Sequence, residues 1–243
     1  MTLVLLPGLD GTGKLFVDFI AELPPTLKII TAAYPSQRFL TYSELVSWLN
    51  GVVPRDAPFA ILGESYGSPL AVKFAATHPP NLIGIILSAG FLSNPVRRYW
   101  PLPKFLARPL FFRIRPPDFV RSFFSAGSEA PESLKLLLRH TMRSVNTDIL
   151  AKRARATIDV DARQEIRRIE VPLLYLQATE DRIVGRGCLE EIKRLHPTTI
   201  SVSICTAHLL LQREPHAAAK AVIQFLDEYC RPPELGAALA SSE

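Results

Sequence analysis

The sequence predicts an α/β protein: a mostly parallel central sheet flanked by helices, carrying one inserted helical cap. Three observations lead there. Apolar runs of strand length alternate with segments of helical period along the chain. Six such runs are present, each short enough for a strand and apolar enough to be buried. One connection, from residue 91 to about 165, far exceeds the ~2–6 residues plus a helix that ordinarily join such strands.

The strand-length runs are TLVLLPG (2–8), LKIITAAY (27–34), FAILGES (59–65), LIGIILSAG (82–90), VPLLYLQATE (171–180) and TISVSIC (199–205). Between them KLFVDFIAEL is helical by the spacing of Phe16, Phe19, Ile20 and Leu23. TYSELVSWL opens with Thr41 and Glu44 in capping-box spacing, so their side chains can satisfy unpaired N–H groups at a helix start. Segments 66–77, 187–195 and 216–230 complete the helices. The expected division is a core of residues 1–90 and 166–231, a cap of 91–165, and a frayed tail of 232–243. The first half of the cap is crowded with aromatics and prolines; its second half, PESLKLLLRHTMRSVNTDILAKRAR, is helical.

Composition narrows the function. Three scattered cysteines without CxxC spacing indicate neither a disulfide framework nor a zinc site. The chain does not open on a basic-then-apolar leader, and no run approaches the ~20 apolar residues of a membrane span, so the expected location is cytoplasmic. The net charge of +5 is unevenly spread: residues 91–170 hold 16 of the 28 Lys/Arg but 8 of the 23 Asp/Glu. Arginines dispersed on amphipathic helices read as a solvated face rather than a nucleic-acid surface.

Near the start, Gly8 to Lys14 has the glycine spacing of a phosphate-binding loop, but Leu15 stands where Ser or Thr should hold Mg²⁺. No aspartate closes the later apolar strand IILSAG either. A nucleotide-binding reading therefore lacks its metal ligands.

The chemistry lies further on. Gly63-Glu64-Ser65-Tyr66-Gly67 follows a predicted strand and precedes a predicted helix, which is a G-x-S-x-G nucleophile elbow. Ser65 must occupy a strained turn, and glycines two positions either side let neighbouring backbone pass. A serine hydroxyl is a poor nucleophile near neutral pH and needs a base, itself oriented by a third group. On an elbow of this kind the acid follows the serine and the histidine comes last. Asp181 sits where the strand LLYLQATE becomes a loop; Glu180, Asp159 and Asp161 are its rivals. His208 falls just beyond the last strand. His78 and His196 precede prolines, His140 lies on a cap helix and His216 heads the final helix.

On these residues, the elbow at Ser65, the acid in ATEDRIV and the histidine in CTAHLLLQREP, the chain resembles the α/β-hydrolase superfamily from first strand to last helix. The resemblance implies an oxyanion hole of two backbone N–H groups, assigned to Leu9 and Tyr66. Here Pro7-Gly8-Leu9 replaces the usual His-Gly-x, which leaves a backbone donor intact. Small-cap esterases are the nearest relatives by resemblance.

The implied activity is hydrolysis of carboxylic esters through Ser65, Asp181 and His208 and an acyl-enzyme, acting on a small-molecule ester. No metal or organic cofactor is called for. Cap aromatics, with Phe91, Phe111, Phe112 and Phe123 chosen as substrate-binding candidates, would form an apolar pocket or else fasten the cap. Thioester hydrolysis, acyl transfer to an alcohol, lactone opening and C–C hydrolysis use the same three residues. A non-catalytic ligand-binding fold would be expected to have lost one of them.

Overall fold

The computed structural model describes residues 1–95 and 130–230. Six strands form one all-parallel sheet in the order β2-β1-β3-β4-β5-β6. They are β1 (Thr2–Leu6), β2 (Lys28–Thr31), β3 (Phe59–Glu64), β4 (Leu82–Ser88), β5 (Leu173–Ala178) and β6 (Ile200–Ile204). Each falls inside one of the six apolar runs, a few residues shorter because the run continues into the loop.

Around the sheet lie α1 (Val17–Ala21), α2 (Tyr42–Leu49), α3 (Gly67–Ala75), α4 (Glu132–Arg143), α5 (Thr147–Asp159), α6 (Gly187–Leu195), α7 (Leu210–Arg213) and α8 (Pro215–Tyr229). The predicted capping box of α2 is formed in both directions between Thr41 and Glu44. The first predicted helix is split. Left-handed Gly13 leads into a 3-10 turn, Lys14–Phe16, before α1 begins. Lys14 itself is exposed.

Residues of β1 alternate between two cores, which is why Leu3 to Leu6 are all apolar. Val4 and Leu6 pack with Leu45 of α2, Leu70 of α3 and Ile192 of α6. Leu3 and Leu5 pack with Phe16, Phe19 of α1 and Val222 and Phe225 of α8. Each fully buried Leu, Ile or Phe contributes about 1.5–3 kcal/mol. An exposed ion pair such as Arg163–Asp161 contributes about 0–1 kcal/mol, so the two apolar layers hold the sheet.

The chain leaves β1 toward β2, then crosses back to place β3 on the other side of β1. The loops after β1 and β3 therefore diverge at the carboxyl edge, which is the position where open parallel sheets bind ligands. Pro7-Gly8-Leu9 lies in one loop and Ser65 ends the other strand.

The long insertion joins β4 to β5 and contains α4 and α5, a helical segment that fits a cap. Its two ends meet in an antiparallel bridge between Ser93 and Asp161, and the Ala162 N–H donates to the Leu92 carbonyl at 2.8 Å. Core packing extends past residue 90, because Phe91 and Leu92 are both buried in the same apolar layer as β4. The cap in turn touches the loops of the sheet edge. Val145, Ile149 and Leu150 pack against Leu9, and Leu134 of α4 packs against Leu209.

Candidate active site

Ser65 adopts a φ of 48°, in the left-handed region that L-residues avoid. Such strain costs on the order of 1–3 kcal/mol and persists only where the surroundings over-determine it. Here they do. Ser65 N–H donates to the Ser88 carbonyl at 3.0 Å, and the Ser65 carbonyl accepts from Ser68 N–H at 2.9 Å. A Cβ on Gly63 would strike the Gly67 carbonyl and come within 2.9 Å of Ser68 Cα; one on Gly67 would strike the Leu6 carbonyl. Both elbow glycines are thus required by close backbone approach.

The three predicted reacting residues are brought together from three strand ends. Ser65 Oγ–H faces His208 Nε2 at 2.9 Å, and His208 Nδ1 lies 2.7 Å from Asp181 Oδ2. A carboxylate only accepts, so Nδ1 is the donor and Nε2 is free to accept from serine. The Asp181 side chain is 2% exposed and that of His208 11%. Asp181 Oδ1 takes two further hydrogen bonds, from Ile183 N–H at 2.7 Å and Val184 N–H at 2.9 Å.

The rivals are elsewhere. Glu180 is exposed and faces the Cys205 thiol, Asp161 pairs with Arg163, and Asp159 is exposed at the end of α5. His216 pairs with Glu22, and His196 bonds Thr199.

Burial opposes the charged imidazole of His208, but the charge and hydrogen bond of Asp181, with a contribution from Glu64, raise it above its usual value. Glu64 had no role in the sequence reading. It is buried directly before Ser65, and burial pushes its carboxyl up to about 7. The Gln212 amide favours the ionised form, Asp10 opposes it, and His208 favours it. Glu64 Oε1 nevertheless has no hydrogen-bond partner among the described residues. A charged residue inside the elbow motif was the signal available for it.

Tyr66 directly follows Ser65, and Leu9 lies in the loop after β1. Gly8, next to Leu9, approaches closely: a Cβ there would sit 3.9 Å from Ser65 Cβ. Neither Leu9 N–H nor Tyr66 N–H donates to a backbone carbonyl among the described residues. The Tyr66 carbonyl accepts from Tyr42 O–H at 3.1 Å, and the two rings stack at 4.9 Å. Phe91 is placed differently from a pocket wall. It is 1% exposed, its ring consumed by core packing at the end of β4. Phe111, Phe112 and Phe123 lie outside the described residues. Among the described residues no cluster of His, Cys, Asp and Glu is arranged to hold a metal, and no helix is long and apolar enough to cross a membrane.

A parallel sheet of this order with a serine elbow after its third strand is the architecture of the α/β-hydrolase superfamily. Within it the chain belongs to the family described as serine aminopeptidase, S33, whose profile matches residues 44–207. The pyrrolizixenacetamide deacetylase of Xenorhabdus hominickii is 22% identical over 166 residues, 64% of this chain and 60% of that protein. This chain therefore spans less than two thirds of that relative. The enol-lactonase from Burkholderia xenovorans LB400 superposes with a TM-score of 0.80 at 18% identity, over 93% of this chain and 91% of that one. The esterase EaEST from Exiguobacterium antarcticum gives 0.79, also at 18% identity, over 93% and 92%. At these identities the two structures establish the fold.

Proposed function

We propose that this hydrolase cleaves carboxylic esters of small molecules through an acyl-enzyme on Ser65. The observation that carries the proposal is the 2.9 Å approach of Ser65 Oγ to His208 Nε2 beside the Gly8–Leu9 loop. Ser65 attacks the ester carbonyl while His208 takes its proton and returns it to the departing alcohol. Asp181, held by two backbone N–H groups, fixes the imidazole tautomer and stabilises its cation. Negative charge developing on the carbonyl oxygen is met by Leu9 N–H and Tyr66 N–H. One such donor typically contributes ~3–4 kcal/mol of barrier reduction. Water, activated by the same histidine, then releases the acid.

The named relatives support water-dependent acyl chemistry in general: one is a deacetylase, one a lactonase, one an esterase. Ester cleavage is favoured here because an alkoxide leaves more readily than an amide nitrogen. The test is hydrolysis of p-nitrophenyl acetate and longer acyl esters, with thioester and lactone panels in parallel. Wild type is expected to turn over the esters, Ser65→Ala to lose several powers of ten, and a fluorophosphonate to label Ser65. Full activity in Ser65→Ala would refute the reading.

A further inference from the structure

Resting on the ester-hydrolase reading, we propose that Arg153, on cap helix α5, is a positioning residue that holds the oxyanion loop in its working shape. The loop from Pro7 to Gly11 is a turn in which Gly11 N–H donates to the Gly8 carbonyl at 3.0 Å. A turn closed this way leaves its two central carbonyls, those of Leu9 and Asp10, without partners inside it. Asp10 is buried, so water does not reach it freely and an unpaired carbonyl there would be costly. Arg153 supplies the missing donors. Its Nη1 reaches the Asp10 carbonyl at 2.6 Å and the Leu9 carbonyl at 3.2 Å, while Nη2 lies 3.5 Å from the Pro35 carbonyl.

Tyr34 completes the clamp. Its O–H donates to the Pro7 carbonyl at 2.9 Å, its N–H to the Gly11 carbonyl at 2.8 Å, and its ring lies 5.4 Å beneath the guanidinium. Five consecutive carbonyls, from Pro7 to Gly11, are therefore each tied down. The Gly8 carbonyl points into the turn, so across the trans peptide Leu9 N–H points out of it. That direction is what an oxyanion donor requires.

Arg153 is 3% exposed and forms no ion pair within 4.0 Å among the described residues. Burial works against its charge, which the Asp10 carboxylate helps to retain. A guanidinium spends this desolvation on a fork of donors that a lysine cannot reproduce. Gly11 is adapted to the contact as well: at φ +68° it accepts the turn, and any Cβ would collide with the Arg153 guanidinium and with Tyr34. The hole is thus built jointly by the sheet edge and the cap.

The experiment compares wild type, Arg153→Met, Arg153→Lys and the exposed neighbour control Lys152→Ala, with Ser65→Ala run alongside. Expected for Arg153→Met is a kcat loss of tenfold or more with KM within about threefold, and an equal loss of affinity for a trifluoromethyl ketone, whose adduct carries the oxyanion. Amide exchange over residues 5–14, read by mass spectrometry, should accelerate at least tenfold. Low-millimolar guanidinium should restore part of kcat in Arg153→Met, a rescue that general destabilisation would not show. If Arg153→Met does not fold, Arg153→Lys is judged by the same kcat, inhibitor and exchange criteria. Unchanged exchange over 5–14, or a loss confined to KM, would overturn the proposal. If wild type and Ser65→Ala are equally inert toward esters, the ester-hydrolase reading fails instead, and unchanged exchange in the arginine variants would still refute the clamp.

Discussion

The buried carboxyl of Glu64 and the imidazole of His208 act on each other's protons: the negative charge of Glu64 raises His208, and the positive charge of His208 favours ionised Glu64. Two coupled ionisable groups therefore sit together beside Ser65.

The first consequence is a pH profile. A raised His208 is free to accept the serine proton only above its elevated value, so kcat/KM should climb with pH through that point. Glu64→Gln removes one of the charges that raise His208. The rising limb of kcat/KM for a p-nitrophenyl ester should move to lower pH. A limb that stays in place would show the two groups to be uncoupled.

Stability should respond in a defined direction. The folded state holds Glu64 near 7 against an ordinary 4.5, so it favours the neutral carboxyl. That contribution is complete below 4.5 and is lost as pH rises through about 7, with an upper size on the order of 3 kcal/mol. His208 acts with the same sign, since a raised histidine stabilises most at low pH. Urea unfolding at pH 5 and pH 8 should show a fall for wild type that is clearly smaller in Glu64→Gln, where the added amide can donate toward Gln212.

Adjacent acids separate by geometry. Asp181→Asn should reduce kcat on the order of 10³–10⁴-fold, because an amide can present N–H to Nδ1 and impose the wrong tautomer. Glu180→Gln should leave kcat nearly unchanged, since Glu180 faces Cys205 and solvent. The reverse pattern in steady-state assays would move the orienting role to Glu180.

Glycine replacements sort by local space. Gly63→Ala drives a methyl group into the backbone of α3 and should cost several kcal/mol or prevent soluble expression. Gly187→Ala, at the first turn of α6 where an added Cβ meets nothing within 4 Å, should be neutral or stabilising by about 0.4–1 kcal/mol. Thermal midpoints of the two variants provide the comparison.

The strands were legible because each is an apolar run long enough to stand out, and the elbow because its glycines have no alternative. Ser65, Asp181 and His208 follow from chain order at strand ends, which is a one-dimensional signal. Arg153 was not legible in this way. A basic residue among basic neighbours reads as solvated surface, and only its register with buried Ile149 and Leu150, four and three residues earlier, marks it as inward-facing. Phe91 misleads in the opposite sense. An aromatic at the start of an insertion looks available to a ligand, yet the apolar layer of β4 continues through it.

The bridge between Ser93 and Asp161 has a consequence for recombination. Because the insertion departs and returns at one point, anchored by Lys73 of α3 on the Asp161 carbonyl and the Glu165 carboxylate, the sheet sees it as a short hairpin of any length. Positions 94 and 160 are natural seams for exchanging one cap for another. A segment exchanged there would join the scaffold outside β4 and β5. To work with it, the graft would have to bring its own donor for the Leu9 and Asp10 carbonyls.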